Sequence, residues 1–115
     1  HMEELEHLLS HVLILHEETI LYNGPSDELA EKYVECIGRE KELYKLLGDA
    51  AVIHQFGDTQ MKHAIVERAT IPVPIHQLTT QGIQVQRVSL SDSYVYLTQS
   101  GKEQIDEIYK KSQFQ

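Results

Sequence analysis

The sequence predicts a single α+β domain, helical in its N-terminal half and closed by a β-ribbon and a helix. Its length of 115 residues fits one domain. Apolar residues recur with helical spacing over residues 3–22 and 26–47. Apolar and polar residues alternate over residues 83–90, as they do in a strand. With 41% hydrophobic and 24% charged residues, the composition is that of a globular chain.

Residues 3–22 are predicted to form the first helix, with one broad apolar face directed inward. At 100° per residue, that face holds Leu5, Leu8, Leu9, Val12, Leu13, Leu15 and Ile20. Ile14 and Leu21 lie seven residues apart and form a second apolar strip on the polar side. A second strip on an amphipathic helix indicates contact with a partner subunit. We therefore expect a homodimer whose interface includes Leu5, Val12, Ile14 and Leu21.

Residues 26–47 are predicted to form the second helix. Ser26 or Asp27 can cap its N-terminus, and Gly48 can end it. The linker between the two helices is short and contains Gly24 and Pro25, so antiparallel packing is expected. Residues 2–48 would then be a helical hairpin that mediates dimerisation.

Two segments in the middle of the chain fit either a helix or a strand. The first segment is Asp49–Phe56. The second is a helix over 58–69 or, alternatively, a strand from Lys62 to Arg68. Pro72 and Pro74 require an extended segment or a turn over residues 70–74.

The C-terminal part shows the clearest strand pattern. A strand over 83–90, a turn at Ser91–Ser93 and a returning strand at Tyr94–Leu97 are expected. A last helix is expected from Gly101 to Lys111, with Thr98 or Ser100 as its cap.

Charge is concentrated in the N-terminal half. The chain carries a formal net charge of −8. Residues 1–60 hold four Lys/Arg against thirteen Asp/Glu, giving −9, and residues 61–115 hold six against five, giving +1. A field of this sign repels nucleic acid and acidic membranes, and it favours a basic partner. No apolar run is longer than four residues, as in Val12–Leu15, which is far too short to span a bilayer.

The single cysteine, Cys36, cannot form an internal disulfide, which indicates a reducing, cytoplasmic location. Its place at the edge of an apolar stripe predicts a core residue rather than a nucleophile.

Residues 82–109 carry a more specific pattern: Gly82, two strands around a polar turn, then Leu97, Thr98, Gly101 and Lys102 before a helix. This pattern resembles the wing and following helix of winged helix-turn-helix transcription regulators of the MarR and PadR kind. The resemblance implies that residues 49–115 form a winged-helix-like part. It also implies a small dimeric DNA-binding regulator.

In that family a recognition helix and a wing contact DNA, which implies roles for residues of this chain. A recognition helix over residues 74–82 would present its polar side chains to the DNA bases. The wing would contact the DNA backbone, and cations that precede the helix would neutralise phosphates. The implied DNA-binding residues are His76, Gln77, Thr79, Thr80, Gln81, Arg87, Ser91, Lys62 and Arg68. The competing interpretation makes residues 73–80 a strand of a β-meander, without a recognition helix.

The alternative function is an acidic protein-interaction module, such as an antirepressor, inhibitor or adaptor, that binds a basic protein and not DNA. His7 and His11 share one predicted helical face and could hold Zn²⁺ or Ni²⁺, but a solvated polar face explains them more simply, so no metal site is expected. The H-E-x-x-H spacing, a phosphate-binding glycine loop and a G-x-S-x-G elbow are all missing from the sequence. We therefore expect neither an enzyme nor a cofactor.

Overall fold

A computed structural model describes residues 11–99, which fall into two compact units. The first unit includes residues 11–29 and 89–99, and the second is Ala30–Val88. The helix predicted from Gly101 to Lys111, and the part of the first predicted helix before residue 11, lie outside the described residues.

The first unit contains a β-hairpin, β1 (His11–His16) and β2 (Thr19–Pro25), and a helix over residues 90–99. The strands pair antiparallel from His11–Pro25 to His16–Thr19, with one irregularity between Ile14 and Leu15. Glu17 and Glu18 form the turn with positive φ angles of 49° and 66°. Two successive left-handed residues make the tight turn whose twist suits a hairpin.

The two predicted N-terminal helices are wrong. Residues 11–16 and 19–25 are strands, although their apolar spacing also fits a helix. A short apolar run does not distinguish the two periods, and the turn uses two glutamates rather than the usual Asn or Gly. The predicted second helix is interrupted in the same way. It divides into α1 (Ser26–Lys32), β3 (Tyr33–Gly38) and α2 (Glu40–Leu47).

The second unit continues with β4 (Val52–Gly57) and β5 (Lys62–Glu67). A 3₁₀ turn (Arg68–Thr70), α3 (Ile75–Thr80) and β6 (Gln84–Arg87) follow. Its four strands form one antiparallel sheet in the order β4-β5-β3-β6. Each helix crosses between two strands that are separated by a third. This βαββαβ order is the split βαβ, or ferredoxin-like, topology.

The core of this unit lies between the sheet and its two helices. Its buried members are Val34, Cys36, Leu43, Leu47, Ala64, Val66, Leu78 and Ile83. The strand residues in this set alternate along β3 and β5 with residues on the opposite face of the sheet. Leu43, Leu47 and Leu78 come from α2 and α3. Burial of these side chains is the main stabilising term of the unit.

The predicted winged-helix arrangement is wrong. Residues 75–80 are helical, as one alternative required, and Gly82 takes the expected positive φ of 89° after that helix. However, α3 follows β5 and a 3₁₀ turn rather than the expected α-helix, and Leu78 packs into the core. The second wing strand expected at Tyr94–Leu97 lies in the helix over residues 90–99, as does the expected turn at Ser91–Ser93.

Both ambiguous segments contain a strand: β4 begins within the first segment, and β5 lies within the second. None of the helices within residues 11–99 has the length and apolar character needed to cross a membrane.

Candidate interaction surfaces

One face of the β1–β2 hairpin exposes three large aliphatic side chains. Leu13, Leu15 and Ile20 are 55%, 58% and 60% exposed. Leu15 is paired with Ile20 across the two strands, so these two side chains share a face. Leu13 is two residues from Leu15 along β1 and lies on that side as well. We call Leu13, Leu15 and Ile20 the apolar hairpin face.

The other face of the hairpin is covered. Ile14 is only 4% exposed, and its cross-strand partner Tyr22 is half-buried. The Tyr22 hydroxyl donates a hydrogen bond of 2.6 Å to the carbonyl of Pro25. The strand pair is therefore apolar on both faces, a pattern typical of strands that are buried on both sides.

Acidic residues lie at both ends of this hairpin. Glu17 and Glu18 are exposed at its tip, and Asp27 and Glu28 are exposed in the first turn of α1. Burial, then the charges of Glu28 and Asp27, raise the pKa of the Tyr22 phenol. The chain contains no lysine or arginine before Lys32. We call these four residues, at the two ends of the strands that carry the apolar hairpin face, the acidic rim.

A second surface lies on the sheet face that α2 and α3 leave uncovered. The Phe56 ring stacks on the His63 imidazole, with centroids 4.5 Å apart and planes inclined by 13°. His63 Nδ1 lies 3.3 Å from Glu35 Oε2, and both side chains are partly buried. The His54 ring follows on β4, 5.7 Å from Phe56. Phe56 is 44% exposed, so an aromatic surface reaches the outer strand.

The structure separates the residues implied to bind DNA. His76, Gln77, Thr79, Thr80 and Gln81 are exposed on or just after α3. The hydroxyls of Thr79 and Thr80 donate to the backbone carbonyls three residues earlier in their own helix.

The implied phosphate contacts do not form one cluster. Lys62 begins β5, where its ammonium lies 3.4 Å from the Gly57 carbonyl, and Arg68 follows the other end of that strand. Arg68 and Arg87 line one cavity of about 250 Å³ together with Glu31. Ser91 belongs to the other compact unit. Arg68 and Arg87 are therefore the only two of these cations that the structure brings together.

The residues predicted for a dimer contact lie in the hairpin or outside the described residues. Ile14 is buried, Val12 and Leu21 are half-buried, and Leu5 precedes the described residues. The helical period places Leu13, Leu15 and Ile20 on the inward face, which is wrong for residues of these strands. A period of two, applied to the run from Val12 to Leu15, would have separated Leu13 and Leu15 from Ile14.

The predicted metal and cysteine residues have ordinary surroundings. His7 lies outside the described residues, and His11 Nε2 lies 2.7 Å from Asn23 Oδ1. Within residues 11–99, no three His, Cys, Asp or Glu side chains converge as a metal site.

Cys36 is fully buried in the core, which confirms its predicted structural place. Burial, and then the nearby Glu35 carboxylate, raise the pKa of its thiol to about 11, so it is protonated at neutral pH.

The described residues thus present two candidate interaction surfaces, the apolar hairpin face with its acidic rim and the aromatic surface of β4 and β5. Comparison of the chain with models of protein families, with characterised proteins and with solved structures finds no match.

Proposed function

We propose that this protein is a protein-interaction module that docks onto another protein through its apolar hairpin face. The observation that carries the proposal is the exposure of Leu13, Leu15 and Ile20 on a hairpin whose other face is already covered. Transfer of each side chain from water into an interface would contribute about 1–2 kcal/mol, given its present exposure. Exposed apolar groups rimmed by charge are typical of interaction sites.

The acidic rim indicates the chemistry of the partner. Glu17, Glu18, Asp27 and Glu28 are exposed at the two ends of the hairpin, and no lysine or arginine precedes Lys32 in the chain. A partner surface that combines an apolar patch with flanking lysine or arginine complements this arrangement. Such charge complementarity accelerates association and weakens as salt increases.

The hairpin also offers backbone groups for pairing. Within the described residues, β1 and β2 form a sheet of two strands, and each pairs only with the other. Two strands alone are marginally stable in water, and further strands stabilise them. We infer that the partner adds a strand at one of these edges and covers the apolar hairpin face with its own side chains.

We also propose a reducing, cytoplasmic location, because the one cysteine of the chain is a free, buried thiol.

The test is photocrosslinking in the cells that produce the protein. A photoreactive amino acid replaces Leu15 in one variant and Val95 in a control variant. Val95 is also exposed and apolar, but it lies in the helix over residues 90–99. One discrete adduct is expected from position 15 and none from position 95.

A second variant set tests whether the apolar face causes the contact. Leu13→Ser with Ile20→Ser should abolish the adduct, and Glu17→Gln with Glu18→Gln should reduce its rate of formation at low salt. The proposal is wrong if position 15 yields no discrete adduct. It is also wrong if the adduct survives Leu13→Ser with Ile20→Ser in a variant that stays folded by circular dichroism.

A further inference from the structure

Two arginines lie on either side of the first residues of β3. In the β3–β6 pairing, Arg87 is the cross-strand partner of Val34. In the β3–β5 pairing, Glu67 is the partner of Tyr33, and Arg68 follows Glu67 directly. Arg68 and Arg87 line one cavity of about 250 Å³, so the two cationic side chains meet at this end of the sheet.

The two guanidinium groups have no counter-charge of their own. Within the described residues, no carboxylate oxygen lies within 4.0 Å of Arg68 or Arg87, whereas the nearby Lys32 ammonium lies 3.8 Å from Glu67. Both arginines are exposed, so a ligand can reach them from solution. Two like charges at one cavity repel each other, and an anion that binds between them removes that repulsion.

The same cavity contains one carboxylate, that of Glu31 in the last turn of α1. In the described part of the chain, Glu31 has no ion-pair partner either. The remaining walls are Ala30, Tyr33 and Val34, and the last two are buried. Largely apolar walls keep water away on one side, which strengthens charge interactions inside the cavity. The cavity therefore offers two cations and one anion around a small apolar space.

This set of charges selects among anionic ligands. Inorganic phosphate or a simple dicarboxylate would neutralise the two arginines but would repel the Glu31 carboxylate. A nucleic-acid backbone is a long polyanion, which a cavity of about 250 Å³ cannot enclose and a chain of net charge −8 repels. A small molecule with two carboxylates and one ammonium group matches all three side chains.

We propose that this cavity binds an acidic α-amino acid, aspartate or glutamate. Arg68 and Arg87 each bind one carboxylate through paired hydrogen bonds, for which the planar guanidinium is suited, and Glu31 binds the ammonium group. The single net negative charge of the ligand balances the single net positive charge of two arginines and one glutamate. The proposal is independent of the hairpin, because these three residues all belong to the second unit.

Isothermal titration calorimetry of the full chain at low salt tests the proposal, with L-glutamate and L-aspartate as probes. At least one of the two should bind, with one ligand per chain. Arg68→Gln and Arg87→Gln should each weaken that binding at least about tenfold, because each removes charge-assisted hydrogen bonds. Arg39→Gln is the matched control, since it removes an exposed arginine that follows the opposite end of β3, and no change is expected.

Ligand analogues separate the role of Glu31 from that of the arginines. Glutarate retains two carboxylates and lacks the ammonium group, so the wild type should bind it at least about tenfold more weakly than L-glutamate. Glu31→Gln should remove this difference, because it weakens the binding of L-glutamate and not that of glutarate. Inorganic phosphate is the probe for a site that accepts any small anion.

Three results would overturn the proposal: no heat of binding with either amino acid at millimolar concentration, equal wild-type affinity for L-glutamate and glutarate, or tighter binding of inorganic phosphate. Equal weakening in Arg39→Gln and Arg87→Gln would also overturn it, since binding would then follow overall charge. Arg87→Lys is a second variant that does not depend on the folding of Arg87→Gln. It keeps the charge and loses the planar donor pair, so affinity should decrease while the circular dichroism spectrum stays unchanged.

Discussion

The rings of Phe56 and His63 lie face to face on neighbouring strands, 4.5 Å apart between centroids. They are cross-strand partners in the β4–β5 register, and His63 also meets the carboxylate of Glu35 on β3. One exposed aromatic side chain on the outer strand is thereby held by two inner strands. Phe56 therefore has a defined ring contact with an inner strand although its side chain is 44% exposed.

A double-mutant cycle should measure the stacking. Phe56→Leu retains apolar area and removes the ring, and His63→Gln removes the imidazole and retains polarity. We expect a coupling free energy of about 0.5–1.5 kcal/mol between the two positions, from unfolding in urea. His54→Gln with Phe56→Leu is the comparison, because these rings are 5.7 Å apart, and a smaller coupling is expected there. Coupling near zero for Phe56 and His63 would mean that their stacking does not stabilise the sheet.

The turn after β4 depends on Gly57. Its φ is +93°, and a Cβ atom there would lie 2.3 Å from the backbone oxygen of Met61. Gly57→Ala should lower the free energy of unfolding by about 2–4 kcal/mol, since backbone strain and a clash combine. Gly82→Ala is the control, because Gly82 has a similar φ of +89° with no atom near a Cβ. That variant should lose only about 1–2 kcal/mol in the same measurement. Equal losses would show that the contact with Met61 has no effect.

Substitutions at two adjacent hairpin residues should differ strongly in their effect on stability. Ile14→Ala leaves a cavity in the covered side of the hairpin and should cost about 2–4 kcal/mol, measured by native-state hydrogen exchange of the hairpin amides. Leu15→Ala, on the apolar hairpin face, should change the same protection by less than about 0.5 kcal/mol. If Leu15→Ala were as costly as Ile14→Ala, this face would belong to the core of the free protein and not to a docking surface.

Alkaline pH should destabilise the fold through Cys36. In the unfolded chain its thiol has a pKa near the ordinary value of 9, and burial raises the folded value to about 11. Between these values the folded state holds a proton that the unfolded state has released. Stability is therefore fully present below pH 9 and decreases as pH rises, by about 2–3 kcal/mol at pH 11.

Cys36→Ala is the control for this pH dependence. Its unfolding free energy should decrease less steeply between pH 9 and 11, in urea titrations at several pH values. Tyr33 contributes a later decrease in both proteins, because burial, then the charge of Glu67, raise its pKa from 10 to about 12. Parallel curves for the two proteins up to pH 10 would contradict the role of Cys36.

Some features could be predicted from local chemistry, because one residue type decides them. Cys36 lies in the core as its apolar surroundings indicated, and Gly82 ends a helix with positive φ. The start of α1 at Ser26 and the end of α2 before Gly48 also agree with the helix signals at these two residues. In each case the deciding interaction is within a few residues of the chain.

The strands could not be predicted in the same way, because pairing partners distant in sequence decide them. Tyr33–Gly38 continues a helical pattern after α1 but pairs with Lys62–Glu67 on one side and Gln84–Arg87 on the other. The apolar hairpin face could not be predicted from the sequence for a related reason. Leu13 and Leu15 are inward on a helix and outward on this strand, since the side-chain period changes from 3.6 to 2.

Composition and local signals were thus sufficient to predict a globular chain, its acidic N-terminal half and the ends of several helices. The order β4-β5-β3-β6, the stack of Phe56 on His63 and the apolar hairpin face required the folded chain. Hydrogen bonds between strands form only when distant segments meet, so the surfaces that support an interaction function arise from tertiary pairing.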